Sequence, residues 1–234
     1  MEIMAARTFN LLYIYLDILW LVFFCGLLWK QGKRTALWVG LAAGVIYFLV
    51  DYGIFNLALG TRSVTGSHPF PLLLWMSFSY GITNFAWIWL LLDRDPRRLE
   101  WSLLIVSAWL TIALLSQNFG ASTPILTTSR GTSSYHGVMA AILFVGYLGI
   151  ILHNLKHPDS NRIPLLPLLA IGIGVQFSWE FVLLVSGIRP TAALPLVVNA
   201  LIETNLGMPY AYLIHKWLQK RNPGESQQAG YSSS

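Results

Sequence analysis

The chain has 234 residues, of which 55% are hydrophobic and only 11% are charged, and its formal net charge is +5. Soluble domains carry about 25% charged residues, so this composition excludes an ordinary soluble protein. The basic residues cluster in short segments between apolar runs, which indicates a multi-pass membrane protein with the lipid bilayer as a partner and argues against a nucleic-acid partner.

Apolar runs near the length of a membrane span recur along the whole chain. They cover residues 9–29, 36–58, 71–92, 101–117, 136–155, 163–186 and 192–217. We therefore predict an all-α fold with seven transmembrane helices in one domain, 1–221, followed by a disordered polar tail, 222–234. The segment 117–137 is rich in Ser, Thr and Gly, and it is either a plain connector or a lid over an outward-facing site.

Positive charge alternates between the two sides of the predicted helices. Basic residues follow every second run: Lys30, Lys33, Arg34, Arg94, Arg97, Arg98, Lys156, Arg162, Lys216, Lys220 and Arg221. The remaining connections carry one arginine each, namely Arg62, Arg130 and Arg189. The positive-inside rule then places the N-terminus outside and the C-terminus in the cytoplasm, with either the plasma membrane or the endoplasmic reticulum as the host membrane.

Two segments repeat each other. Phe48-Leu-Val-Asp51-Tyr leads to Gly60-Thr-Arg62, and Phe177-Ser-Trp-Glu180-Phe leads to Gly187-Ile-Arg189. We interpret them as parts of a duplicated unit with parallel 3+1+3 organisation: repeat 9–92, linker helix 101–117 and repeat 136–217. In transporters with such repeats the ligand site lies near the bilayer midplane, at the repeat interface.

Four acidic residues lie inside the predicted spans: Asp17, Asp51, Glu180 and Glu203. A carboxylate at membrane depth is costly, so each is a functional candidate by default. Because Asp51 and Glu180 occupy equivalent places in the two repeats, they are the main catalytic candidates. Glu203, near the middle of the seventh run, is the third.

Polar and aromatic side chains accompany these acids at helical spacing. We predict a substrate-binding set that consists of Asp17, Trp20, Tyr52, Trp75, Tyr80, Asn84, Gln176, Trp179, Asn199, Arg62 and Arg189. Interhelical hydrogen bonding is the alternative for the polar residues, and ordinary packing is the alternative for the aromatic ones. The two arginines could snorkel to lipid headgroups or could clamp an anionic group of a ligand.

The histidines lie in loops or at helix ends, without the spacing of metal ligands. We therefore predict no metal site. The chain also lacks an Asp-Asp-x-x-Asp run that would hold magnesium and diphosphate, which argues against prenyl transfer. We expect no cofactor.

The segment Gln176-Phe-Ser-Trp179-Glu180-Phe181-Val resembles the Asn-x-x-Trp-Glu-Phe-Val segment of the small integral-membrane terpene cyclases of the paxilline and pyripyropene pathways. Those proteins have a second acid near a Tyr-Gly pair, and this chain has Asp51-Tyr52-Gly53. The Trp-Glu unit lies in the second half of this chain, whereas the family has it early. The resemblance implies a metal-independent cyclase that protonates an epoxide or alkene of a lipophilic isoprenoid. Glu180 would be the general acid, and Asp51 or Glu203 its partner or the final base.

Three functions fit the sequence. The first is a membrane-embedded cyclase or isomerase of a lipophilic isoprenoid, in which surrounding aromatic faces stabilise a carbocation. The second is a proton-coupled small-solute transporter that uses the same acids. The third is an accessory subunit in which the acids pair with Arg62 and Arg189. An enclosed aromatic cavity would favour the first, a water-filled path the second, and complete ion pairing the third.

Overall fold

A computed structural model describes residues 6–130, 136–158, 161–189, 200–202 and 204–221. The described chain is mostly helical. Its helices are α1 (Leu11–Lys30), α2 (Arg34–Phe48), α3 (Pro69–Tyr80), α4 (Ala86–Leu92), α5 (Arg98–Phe119), α6 (His136–Lys156), α7 (Leu165–Val185) and α8 (Met208–Arg221). A 3₁₀ turn, Asn205–Gly207, precedes α8. The start of the seventh run, Glu203 and the tail 222–234 lie outside the described residues.

Five of the described helices are long and apolar enough to cross a membrane. They are Leu11–Lys30, Arg34–Ala58, Arg98–Phe119, Gly137–Lys156 and Leu165–Val185. Large apolar side chains such as Leu19, Val22, Phe144 and Leu166 are exposed on them. Since water would not tolerate so many apolar side chains on one surface, the composition and the structure both indicate a membrane-embedded helical protein.

Two helices contain π-helical segments. Leu49–Ala58 continues α2, and Gly81–Phe85 joins α3 to α4. The second segment packs backbone to backbone against α2. The approach is so close that a Cβ on Gly81 would lie 2.2 Å from the Gly44 nitrogen. A Cβ on Gly40 would likewise lie 2.8 Å from the Ile82 carbonyl oxygen. Only glycine permits helices to come this close.

The described fold is mostly helical, as predicted, and it also contains a small three-stranded antiparallel sheet that was not predicted. Its strands are β1 (Arg7–Asn10), β2 (Arg62–Thr65) and β3 (Ile125–Arg130), in the order β1-β3-β2. Each strand is a short segment between apolar runs, and its partners are distant in sequence, so no local periodicity indicated it. The segment 117–137 is therefore more than a plain connector, because it supplies the central strand.

The register places three arginines on one face of this sheet. Arg7 pairs with Thr128, and Arg62 pairs with Arg130. Directly opposed residues of antiparallel strands share a face, and residues two apart on one strand also share it. Thr128 is buried, so this face points into the molecule. We call the end of the bundle that carries the sheet the sheet end, and the opposite end, with the lysine- and arginine-rich connections, the basic end.

Candidate functional site

Glu180 lies fully buried near the C-terminal end of α7, in contact with two arginines. Arg189 Nε is 2.7 Å from Oε2, and Arg189 Nη2 donates to Oε1 at 2.8 Å. Arg7 Nη2, from β1, lies 3.5 Å from Oε1. The backbone N–H of Thr8 donates to the Ile188 carbonyl at 2.9 Å, which attaches β1 to the turn after α7. The carboxylate is therefore held between its own helix terminus and the sheet.

Asp51 has a similar set of partners. Arg62 Nη2 donates to Oδ2 at 3.0 Å, and Arg130 Nη1, from β3, donates to Oδ1 at 3.3 Å. The Asp51 side chain keeps 13% of its surface exposed, whereas that of Glu180 keeps none. Asp51 and Glu180 thus each bind the arginine that follows them in sequence, Arg62 or Arg189. Each also binds one further arginine of the sheet.

After both acids, a glycine with left-handed backbone conformation turns the chain so that the following arginine reaches back to the acid. Gly60 has φ +62° and Gly187 has φ +74°, and each ends its helix. After Gly187 the backbone N–H of Arg189 donates back to the Leu183 carbonyl at 3.0 Å, which directs the arginine toward Glu180. The sequence pattern acid–Gly–x–Arg therefore encodes an ion pair closed by a helix-terminating turn.

The two acid–arginine segments differ in length, and the π-helix accounts for the difference. Arg62 follows Asp51 by 11 residues, whereas Arg189 follows Glu180 by 9. The first interval runs through the π-helical segment, while the second follows an α-helix. A π-turn closes at i→i+5 rather than i→i+4, so two turns take about two residues more. The extra residues thus leave the ion pair unchanged.

Asp17, on α1, is also buried, but its partners differ from those of Asp51 and Glu180. It is completely buried, and the indole N–H of Trp75 donates to its Oδ2 at 2.8 Å. In the part of the chain that the structure describes, Asp17 makes no ion pair, and the Ser79 hydroxyl is the second group that interacts with its carboxyl group. Asn10 caps α1 by accepting from the Tyr13 backbone N–H at 2.9 Å, so Tyr13 and Asp17 lie one turn apart on one face.

Several aromatic rings pack against one another beside Asp17. The Phe9 and Tyr13 centroids are 5.1 Å apart, and Trp75 meets these two rings edge-on at 5.3 and 6.0 Å. The Tyr13 hydroxyl is buried and has no partner among the described residues. One turn further along α1, Trp20 is buried and stacks on Phe24 at 5.2 Å. Asp17 is therefore a carboxyl group in an aromatic setting, unlike Asp51 and Glu180.

Two of the predicted polar residues, Tyr80 and Gln176, form a hydrogen-bonded bridge with Thr204. The Tyr80 hydroxyl donates to Gln176 Oε1 at 2.8 Å, and Thr204 Oγ1 donates to the same oxygen at 2.7 Å. Gln176 Nε2 donates to Glu180 Oε1 at 3.4 Å. Tyr80 and Gln176 thus make the interhelical contacts that were the alternative to substrate binding.

The remaining predicted residues fall in different places. Asn84 is fully buried in the π-segment Gly81–Phe85, and neither atom of its side-chain amide has a partner among the described residues. Trp179 packs edge-on against Trp109 at 5.0 Å. Tyr52 stacks on Phe48 at 5.2 Å, so packing explains it. Asn199 and Glu203 lie outside the described residues.

Sequence reasoning missed Arg7, Tyr13 and Thr204, and it gave Arg130 only a role in topology. Tyr13 could have been found, because it precedes Asp17 by one helical turn. Arg7, Arg130 and Thr204 reach the site through tertiary contacts, and no local pattern carries that information.

Within the described ranges, no group of three His, Cys, Asp or Glu side chains could hold a metal ion. No protein-family model matches the chain, and no curated protein and no solved structure shows significant similarity to it. The function of the site therefore has to be argued from its chemistry.

Proposed function

We propose that the protein is a membrane-embedded cyclase or isomerase that protonates a lipophilic isoprenoid from a buried carboxylic acid. In this proposal seven helices span the bilayer in a parallel 3+1+3 arrangement, with the sheet end outside and the C-terminus in the cytoplasm. The observation that carries it is Asp17, a completely buried carboxyl group beside aromatic rings. Among the described residues it has no cationic side chain as an ion-pair partner.

Asp17 suits the role of proton donor better than Glu180. A carboxylate between two guanidinium groups is a hydrogen-bond acceptor, and it could donate a proton only after those pairs had broken. Asp17 accepts a hydrogen bond from Trp75 at Oδ2 and also interacts with the Ser79 hydroxyl, and since neither partner is charged, the carboxyl group can hold the transferred proton. We therefore assign Asp17 as the general acid, while Asp51 and Glu180 hold the sheet arginines in place.

The proposed step is an isomerisation without a co-reactant. The Asp17 carboxyl group gives its proton to an epoxide oxygen or an alkene carbon, and the C–O bond or the π bond opens to a carbocation. An alkene of the same substrate attacks this cation and closes a ring. The Asp17 carboxylate then removes a proton from a neighbouring carbon, so the acid is regenerated. The Tyr13 and Trp75 faces stabilise the intervening cation.

The test is a conversion assay in membranes that contain the full chain. A panel of prenylated aromatic compounds, each with a terminal alkene or the corresponding epoxide, is supplied, and mass spectrometry detects new isomers of unchanged mass. We expect wild type to convert at least one compound and Asp17→Asn to be slower by about 10²–10⁴-fold. Asp93→Asn, which removes a carboxylate from the basic end, serves as the control and should retain activity.

Equal activity of wild type and Asp17→Asn would overturn the assignment of the acid. A wild-type protein that converts no member of the panel would overturn the isoprenoid reaction.

A proton-coupled small-solute transporter is the second candidate, favoured by a separate observation. The helices Arg34–Ala58 and Pro69–Leu92 are both interrupted by π-segments, and carriers often build their sites at such interruptions. The Tyr80–Gln176–Thr204 bridge lies between the repeats, where alternating access would act. Purified protein in liposomes should then move a solute with a dependence on the proton gradient that Asp17→Asn removes.

A further inference from the structure

A groove at the basic end lies between the last turn of α1 and the first turns of α5. Its cavity volume is about 110 Å³, below the ~300–1,000 Å³ range of sites that enclose a whole small ligand, so it has room for only part of a ligand. Its lining residues are Leu27, Gln31, Arg97, Glu100, Trp101 and Leu104. The groove lies far along α1 from Asp17, so it is separate from the proposed reaction site.

The lining of this groove changes from apolar to charged along the helix axes. Leu27 and Leu104 line it with aliphatic surface, and the buried Trp101 ring supplies an aromatic wall. Gln31, Arg97 and Glu100 are exposed and form a polar rim with one positive and one negative charge. The apolar part lies toward the middle of the helices, and the charges lie toward their ends. That order matches a lipid seated at the membrane interface.

The arginine of the rim is held in position by its neighbours. Arg97 Nη2 donates to Gln31 Oε1 at 2.8 Å, and its guanidinium carbon lies 5.9 Å from the Trp101 ring centroid. The backbone N–H of Arg97 donates to Asp95 Oδ1 at 2.8 Å, and Lys33 forms an ion pair with the same carboxylate. Such restraint lowers the entropy cost of binding an anion.

Asp95 is a stable anchor for this arrangement. Burial by itself raises the pKa of the Asp95 carboxyl group, but the hydrogen bonds from Lys33 and the Arg97 backbone, together with their charges, outweigh it and hold the pKa below its ordinary value. The anchor is therefore charged at neutral pH.

We propose that the groove binds the headgroup of a phospholipid that carries both a phosphate and a primary ammonium group, as phosphatidylethanolamine does. Arg97 binds the phosphate, and Glu100 binds the ammonium group. Leu27, Leu104 and Trp101 contact the first part of an acyl chain. Glu100 determines which class of headgroup fits, because its carboxylate would repel a headgroup that carries only negative charge. This inference does not depend on the reaction at Asp17.

Native mass spectrometry of the delipidated full chain, titrated with phosphatidylethanolamine, phosphatidylcholine and phosphatidylglycerol, tests the proposal. We expect saturable binding with the lowest Kd for phosphatidylethanolamine. Arg97→Gln should raise that Kd by at least about fivefold, since it removes a charge-assisted contact. Glu100→Gln should abolish the preference for phosphatidylethanolamine over phosphatidylglycerol. Arg98→Gln, at the adjacent exposed residue outside the groove, is the matched control.

Three results would each overturn the proposal. The first is an equal effect of Arg97→Gln and Arg98→Gln on lipid binding. The second is a wild-type protein that binds phosphatidylethanolamine and phosphatidylglycerol alike. The third is equally tight binding of soluble glycerophosphoethanolamine or inorganic phosphate, which would make the groove an anion site without a lipid.

Discussion

Asp17 and Glu180 are both completely buried carboxyl groups in apolar helices, yet their partners differ. Glu180 contacts Arg189 and Arg7, while Asp17 accepts from the Trp75 indole. From the sequence we predict Glu180 as a catalytic residue and Asp17 as a substrate-binding residue, but the sequence does not indicate their partners, because Arg7 and Trp75 come from other elements. On the proposed function, this difference in partners assigns the roles: the guanidinium groups hold Glu180 in an ion pair, and Asp17, which has no such pair among the described residues, is the proton donor.

Removal of the Glu180 charge should destabilise the protein strongly. Glu180→Gln leaves Arg189 without its buried counter-charge, and breaking one partner of a buried pair costs about 3–5 kcal/mol. We expect a large fall of Tm in detergent, and the double variant Glu180→Gln/Arg189→Gln should recover part of it. Asp51→Asn, at the more exposed equivalent acid, should cost less. A double variant no more stable than Glu180→Gln would contradict this account of the pair.

The close approach of α2 to the segment Gly81–Phe85 sets the position of Asn84 and of α4. The apolar run 71–92 predicted a helix there, and the structure confirms its extent as Pro69–Leu92 with the π-segment included. His68 accepts from the Phe70 backbone N–H and Pro69 occupies the first turn, which explains the earlier start. The π-segment itself was not predicted, because backbone contact with Gly44 and Gly40 is a tertiary feature.

A methyl group at Gly81 should therefore be far more harmful than one at Gly53. Both glycines lie in π-segments, but a Cβ at Gly81 meets the Gly44 nitrogen at 2.2 Å, and a Cβ at Gly53 meets nothing within 4 Å. Gly81→Ala should lower the free energy of unfolding by about 1–3 kcal/mol or more, and Gly53→Ala should be neutral or stabilising. Thermal unfolding of the two variants compares them, and equal Tm values would refute the predicted contact.

The sheet is the element that sequence reasoning could not predict. Its four to six-residue strands lie between helices, and their pairing joins the N-terminal segment to residues more than a hundred positions away. Ser63 and Ser129 are directly opposed in the β2–β3 ladder, with their Oγ atoms 2.6 Å apart. These exposed serines offer a direct test of the register.

Cysteines at Ser63 and Ser129, in a Cys25→Ser background, should form a disulfide spontaneously. Directly opposed strand residues have Cα atoms about 4.5–5.5 Å apart, within the range that a disulfide spans. The pair Ser63→Cys and Thr128→Cys is the control, because these side chains point to opposite faces. Proteolysis within the segment that separates the cysteines, followed by non-reducing electrophoresis, reports the cross-link. Cross-linking of the control alone would contradict the register.

At the scale of the whole molecule, the sheet joins the two acid-bearing helices at one end of the bundle. Arg130 of β3 binds Asp51, and Arg7 of β1 binds Glu180. The helical spans and the acids could be predicted from local periodicity and from the cost of burying charge. The sheet and its ion pairs could not, because they depend on which distant segments meet. The duplication remains a prediction, supported by the equivalent acid–arginine pairs.

The proposed reaction requires that Asp17 carries a proton that it can give to a substrate. Infrared difference spectra between wild type and Asp17→Asn, recorded in lipid from neutral to mildly acidic pH, test this without a known substrate. We expect a protonated-carboxyl band in wild type that strengthens toward acid and is missing from Asp17→Asn at every pH. Difference spectra without such a band at any pH would contradict the assignment of Asp17 as the proton donor.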